Sequence, residues 1–516
     1  MGAEAATPPA VLLVPFPAQG HVTPMLLLAR ALAAHGVAAT VAVPDFIHRR
    51  IARTTAGNDD DRDGGSGVAL ASIPSGVADV GDGDPPGFAE FGHAMEHHMP
   101  AHLERLLARR RVACVVVDVL ASWAVPVAER CGVPAAGFWP AMLASYRVVA
   151  AIPELMEEGL ISESGTPCLG APQSSPNQSD DDGLRQGKML RALNILPAEV
   201  ELNNGELPWL VGDSATQKSR FAFWLRALHR ARSFRSVLVN SFPGEAGGVA
   251  AADDGHPARQ GPRVLPVGPL LAAGGGDTST EQRAKGDGPP VAPCKQQQPS
   301  SMWQADSTCM GWLDRQRAAS VVYVSFGSWV GPIGPEKVSE LALGLEATGR
   351  PFLWALRKDP SWRAGLPDGY ADRVAAAGRG KVVGWAPQEE VLTHGAVGCY
   401  LTHCGWNSTV EAIRHGVRLL CCPVSGDQFI NCAYITRVWG IGIRLGGGMS
   451  RDEVKDCIER VMEGKEGRRL QEKMDGLRER VVTAEATSLA QRNVKSFVNE
   501  IRRDHPPLSM QMHSIL

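Results

Sequence analysis

Short apolar runs recur along the chain, most of them closed by Gly, Pro, Asp, Asn or Ser and followed by residues at helical spacing. Residues 11–15, 39–43, 68–73, 112–117, 135–139 and 237–240 form one series, and 321–325, 352–356, 381–383, 398–402 and 419–422 a second. Runs this short, bounded by turn formers, read as strands; one that is apolar throughout, such as 112–117, reads as a parallel strand covered on both faces. After the first run Met25, Leu28, Ala29 and Leu32 recur at helical spacing, with Pro24 in the first turn, where a helix tolerates it. The expected fold class is α/β, built as two units with parallel sheets.

Between the two series, residues 272–301 are rich in Gly, Pro, Ser and Gln and poor in large apolar side chains, the composition of a flexible linker. The expected division is an N-terminal domain over 1–271, the linker over 272–301, a C-terminal domain over 302–484, and a helix and tail over 485–516. Residues 468–503 form a helical segment long enough to cross back to the first domain. Single helices are expected over 88–111 and 142–158. Residues 161–219 are expected to be mostly loop, with apolar islands at 207–210 and 221–225.

Composition removes several function classes. With 52 basic and 55 acidic residues the net charge is −3, so neither a nucleic acid nor an acidic membrane surface is implied as partner. No apolar stretch reaches the ~18 residues of a membrane span, and the N-terminus lacks the basic segment and apolar core of a signal peptide. The 11 cysteines are scattered without zinc spacing, and Cys399, Cys404, Cys421 and Cys422 read as buried thiols. A cytoplasmic monomer is expected. His93 and His97 stand four apart, but no carboxylate or cysteine accompanies them at matching spacing, so a solvent-facing or cavity-lining helix is preferred over a metal site. Neither GxGxxG nor a Walker pattern occurs in the places a dinucleotide or nucleotide triphosphate would need them.

Two side chains stand where a strand gives way to a loop. His21 follows the run at 11–15, and Asp118 follows 112–117 directly. In an open parallel sheet both emerge at the carboxyl edge, where ligands bind. A histidine base needs an acceptor on one ring nitrogen so that the other can remove a proton, and an Asp supplies it. Taken singly, His21 would serve as well as a turn residue and Asp118 as a helix N-cap.

The densest polar clustering lies in residues 385–428, WAPQEEVLTHGAVGCYLTHCGWNSTVEAIRHGVRLLCCPVSGDQ. A buried strand at 398–402 leads through a turn at 403–408 into a helix, and a second strand at 419–422 delivers Asp427 and Gln428. Backbone N–H groups at a helix start suit a diphosphate, with His403 adding a side-chain donor. Trp385 offers a stacking face, Glu411 an acceptor for ribose hydroxyls, and Asp427 and Gln428 partners for sugar hydroxyls. Ser408 and Glu411 are also spaced as a capping box, which would need no ligand.

In register over all 44 residues, this stretch resembles the signature box of plant UDP-sugar-dependent glycosyltransferases, the PSPG box. The resemblance implies the two-domain GT-B arrangement. It assigns Trp385, Gln388 and the adjoining Ala386 to the base and ribose region, His403, Asn407 and Ser408 to the diphosphate, Glu411 to the ribose, and Trp406, Asp427 and Gln428 to the sugar. The Gly327-Ser328 turn resembles the family's phosphate-side loop, and the turns carrying His21 and Asp118 resemble its catalytic positions. The implied co-substrate is UDP-glucose, with no metal or other cofactor, and the implied partner is a small-molecule acceptor. Three departures stand out: Arg418 in place of a usual Pro, Val424-Ser425-Gly426 in place of a commonly aromatic trio, and Pro140 where a Thr or Ser is common.

Overall fold

A computed structural model describes residues 8–55, 68–77, 88–168, 195–203, 205–242, 244–245, 261–271, 303–328, 330–482 and 484–504. The expected linker lies outside them, apart from its first and last neighbours. Thirteen strands form two sheets among the described residues, and every pairing is parallel.

The first sheet has seven strands: β1 (Ala10–Val14), β2 (Ala38–Pro44), β3 (Val68–Ile73), β4 (Cys114–Asp118), β5 (Ala135–Trp139), β6 (Ser236–Val239) and β7 (Arg263–Pro266). Their order is β3-β2-β1-β4-β5-β6-β7. The second has six: β8 (Val321–Ser325), β9 (Phe352–Ala355), β10 (Gly380–Val383), β11 (Val397–Thr402), β12 (Arg418–Cys421) and β13 (Gly442–Arg444), ordered β10-β9-β8-β11-β12-β13. The central strands β4, β8 and β11 are buried along their whole length, as their unbroken apolar runs require once helices cover both faces.

Strand order reverses direction between β1 and β4 in the first sheet and between β8 and β11 in the second. At such a switch point the following loops diverge to opposite faces and leave a crevice at the carboxyl ends. Val14 pairs with Val117, which brings the loops bearing His21 and Asp118 together, and Thr402 pairs with Ser325, which does the same for His403 and Gly327.

The helix Ala484–Asp504 packs against the first sheet's helix Gln19–Ala34 and against β7. Arg502 donates to the backbone oxygen of His35 at 2.7 Å and Asn493 to that of Pro266 at 2.7 Å. This is the expected crossing helix, but it is separate from the helix Gly464–Val482 that precedes it. Two other long helices are also divided. Residues 88–111 form Phe88–His97 and Met99–Ala108, with Pro100 in the first turn of the second, and 142–158 form Leu143–Ala150 and Ile152–Glu157, with Pro153 in the same role. Each proline lacks the N–H that a continuous helix would use, and each fits a helix start. The island at 221–225 belongs to a helix, Ser214–Ala231, whose Asp213 side chain caps it by accepting from Thr216 N at 2.8 Å.

Candidate active site

The two switch points face one cavity of about 550 Å³ lined from both sheets. On the first side, His21 Nδ1 lies 2.8 Å from Asp118 Oδ2. Asp118 is fully buried, and its other oxygen accepts from Leu120 N at 2.9 Å. A carboxylate held this way fixes the imidazole with Nδ1–H toward it, leaving Nε2 unprotonated as the proton acceptor. Phe16, 5.2 Å away ring to ring, flanks the imidazole.

On the second side, the helix Trp406–His415 begins with Gly405 as N-cap and has no side-chain cap. Its first-turn N–H groups therefore point into the cavity region unsatisfied by a capping side chain, as an anion site requires. Ser408 and Glu411 are not a capping box: Ser408 already lies within the first turn. His403 sits between Gly327 and Gly405, where an added Cβ would come within 2.7 Å and 2.4 Å of its ring. Burial lowers its pKa to about 4, so at neutral pH it is a neutral imidazole that offers one N–H.

Gln388 has its amide committed to the protein. Its Oε1 accepts from the hydroxyls of Tyr323 at 3.2 Å and Tyr400 at 3.0 Å, and its Nε2 donates to Ser408 Oγ at 3.0 Å and Glu411 Oε2 at 2.7 Å. Two carbonyl lone pairs and two N–H groups exhaust its capacity. The side chain thus orients Ser408 and Glu411 from behind. Burial raises the Glu411 carboxyl to about 8. Neither tyrosine was singled out from sequence; a phenol in the middle of an otherwise apolar strand was the available signal, because a buried hydroxyl demands a partner.

Trp385 stacks on Trp303 at 5.7 Å, and Arg50 of the first unit lies 5.0 Å over the Trp303 ring. Gln428 Oε1 accepts from Val424 N at 2.9 Å and Ser425 N at 3.1 Å, which leaves its NH₂ end as the donor. Asp427 Oδ2 accepts from Asn431 Nδ2 at 3.1 Å. Ala386 and Ser328 line the same cavity, and Arg357 donates to the Ser328 backbone oxygen at 2.9 Å.

Two contacts close the crevice. Asn407 Nδ2 donates to the oxygen of Gly20 at 3.2 Å, one residue from His21. Trp406 Nε1 donates to the oxygen of Asn240 at 2.6 Å, and its ring stacks on Phe242 at 6.1 Å and 14°. The indole therefore joins the two units as well as walling the cavity. The outer half is lined by Trp139, Trp209, Phe223 and Trp224 with Val149 and Leu27. Pro140 also lines it and accepts, through its backbone oxygen, from Asn240 Nδ2 at 3.2 Å. Arg418 points elsewhere: its Nη1 donates to the oxygens of Val461 at 2.9 Å and Gly467 at 3.3 Å. Of the predicted site residues, all those named line the cavity except Asp118, which stands behind His21.

A nucleotide-sugar crevice facing a histidine–aspartate pair across two parallel sheets defines a transferase of the GT-B class. The family model described as "UDP-glucoronosyl and UDP-glucosyl transferase" matches residues 294–471. UDP-glycosyltransferase 82A1 of Arabidopsis thaliana is 42% identical over 96% of this chain and 98% of its own. Among solved structures, Os79 from O. sativa in complex with UDP matches at a TM-score of 0.74, with 28% identity, over 95% of this chain and 100% of that one. The UGT2 of Phytolacca americana, complexed with UDP-2fluoro-glucose and pterostilbene, matches at 0.70 with 25% identity over 96% and 99%. The chain belongs to the plant UDP-glycosyltransferase family and is a UDP-glycosyltransferase.

Proposed function

We propose that the chain moves glucose from UDP-glucose to a hydroxyl, or a carboxyl, of a small lipophilic or phenolic acceptor, inverting the anomeric configuration. The observation that carries this reading is the His21–Asp118 pair at 2.8 Å, held across from the uncapped helix start by the 3.2 Å contact of Asn407 with Gly20. His21 Nε2 removes the acceptor proton as the oxygen attacks the anomeric carbon from the face opposite UDP. The Asp118 carboxylate stabilises the imidazolium that forms. The C–O bond to the diphosphate breaks, and its negative charge grows where the N–H groups of residues 406–408 and the neutral His403 N–H converge. Those donors do the work a metal would do, so chelation by EDTA should leave turnover intact.

Trp385, backed by Trp303, is the platform for uracil. Glu411 receives the ribose hydroxyls, with Ala386 and Gln388 around it, and Ser328 with His403, Asn407 and Ser408 surrounds the diphosphate. Asp427 and the NH₂ end of Gln428 take the sugar hydroxyls, and Trp406 closes the wall beside them. The aromatic outer half suits a flat apolar acceptor, and the relative carrying pterostilbene in its complex supports a phenolic class. A cytoplasmic setting is consistent with ten described cysteines that are all free thiols. Among the described residues no helix is long and apolar enough to cross a membrane. The test is a panel of phenols, alcohols and carboxylic acids incubated with UDP-glucose and read by the mass of one added hexose. UDP-xylose, UDP-rhamnose and UDP-galactose supplied in competition decide the donor. No hexose transfer to any acceptor, with UDP still bound, would support a nucleotide-sugar-binding protein without turnover instead.

A further inference from the structure

Behind the diphosphate loop lies a group of side chains that the transfer reaction does not use. Cys404 follows His403, Cys421 ends β12, and Cys432 lies in the helix Gln428–Ala433. Their three Sγ atoms all lie within 4.8 Å of one another, and each residue is wholly buried. We propose that this cluster is a binding site for trivalent arsenic, taken up as arsenous acid, and that occupation weakens UDP-sugar binding.

The choice of ligand follows from charge and number of donors. Soft thiol sulfur selects thiophilic elements over oxygen-seeking cations. A divalent metal on three thiolates would leave a net negative charge in a sealed apolar core, together with an open fourth position, and burying an unpaired charge is costly. Arsenous acid avoids both. Its three As–O bonds break as three As–S bonds form, and the three thiol protons leave with the three hydroxyls as water. The product is neutral, three-coordinate, and involves no change of oxidation state.

The coupling to the donor site is structural. Cys404 occupies the left-handed region at φ 64°, a conformation few side-chain-bearing residues adopt. It is held there by Thr402 Oγ1, which accepts from Cys404 N at 3.1 Å, and by Asn431 Nδ2, which donates to Cys404 O at 2.9 Å. The same Asn431 nitrogen donates to Asp427. Drawing three sulfurs onto one atom therefore pulls on the turn bearing His403 and on the segment bearing Asp427. Since the cluster is sealed, uptake waits for local opening of that turn. The weakening of UDP-sugar binding rests on the donor site as proposed above; the uptake of arsenic does not.

The experiment incubates the full-length protein with arsenous acid and reads native mass and arsenic-edge X-ray absorption. The expected result is one arsenic per chain with three sulfur neighbours, slower uptake when UDP is already bound, and loss of UDP affinity by calorimetry once arsenic is in. Cys421→Ser and Cys432→Ser should each lose the third sulfur, and Cys168→Ser, at an exposed thiol, should change nothing. No uptake, fewer than three sulfurs in the wild type, or uptake undiminished in both cluster variants would overturn the site. Three-sulfur uptake with unchanged UDP affinity would overturn the coupling alone. If the arsenic-free protein fails to bind UDP, the donor-site reading fails and the arsenic site still stands or falls on the absorption spectrum.

Discussion

The two halves of the cavity are built in different ways. The donor half comes from 44 consecutive residues wrapped around β11 and β12, with its polar groups fixed by one another: Gln388 by two tyrosines, Gln428 by two backbone N–H groups, His403 by two flanking glycines. The acceptor half gathers Trp139, Trp209, Phe223 and Trp224 from three separate stretches, and they meet through shape rather than directed bonds. Recognition of a diphosphate and two sugars needs donors at set positions, and that need leaves a contiguous pattern. A lipophilic acceptor needs only apolar walls, which many arrangements supply. The donor half should therefore fail sharply under single substitutions and the acceptor half gradually.

The largest expected break lies between the halves, at His21. Replacing it with Ala should lower turnover by ~10²–10⁴-fold, the usual worth of a general base, while calorimetry finds UDP bound as in the wild type. Unchanged turnover would remove His21 from the chemistry.

Next comes Glu411, where the donor half carries an internal cost. Its carboxyl titrates ordinarily near 4.5 and is raised to about 8 by burial. Between those values the folded protein keeps a proton that the unfolded chain releases, so its contribution to stability is present below 4.5 and is lost as pH rises through about 8. Thermal unfolding without UDP, compared between wild type and Glu411→Gln from pH 5 to pH 9, should show the variant gaining on the wild type as pH rises. A constant difference would mean that the carboxyl is not held in its neutral form.

A smaller effect is expected at Trp406. Its conversion to Phe keeps the stacking on Phe242 and leaves the oxygen of Asn240 without its donor. An unmatched buried carbonyl costs about 1–3 kcal/mol, to be read by chemical denaturation. The smallest belongs to Arg418. Its guanidinium serves two backbone oxygens away from the cavity, so Arg418→Ala should lower stability by roughly 1 kcal/mol with the donor KM unchanged. A shifted donor KM would show that this departure from the family pattern reaches the donor site.

The same contrast explains how much of the molecule was legible beforehand. All eleven anticipated strands are present, because unbroken apolar runs in parallel sheets have few other readings. The His21–Asp118 contact was legible because both residues follow strands directly, and adjacent strands at a switch point leave their loops little freedom. Helix interruptions were harder: Pro100 and Pro153 carried the signal, yet the apolar spacing continues across both. The helix Ser214–Ala231 was obscured because its buried residues, such as Phe221 and Phe223, are few and its other positions are polar, with only the Asp213 cap to mark its start. The commitment of Gln388 and the second role of Trp406 depend on partners 65 and 166 residues away, a distance at which local pattern carries no information.

Product stereochemistry tests the central claim most directly. With one base on one side of the sugar and the diphosphate gripped on the other, a single displacement on UDP-α-glucose must give the β-glucoside, identified from the anomeric proton coupling of the isolated product. An α-linked product would require a second displacement or attack from the diphosphate face, and would contradict the arrangement of His21 opposite the turn at 403–408.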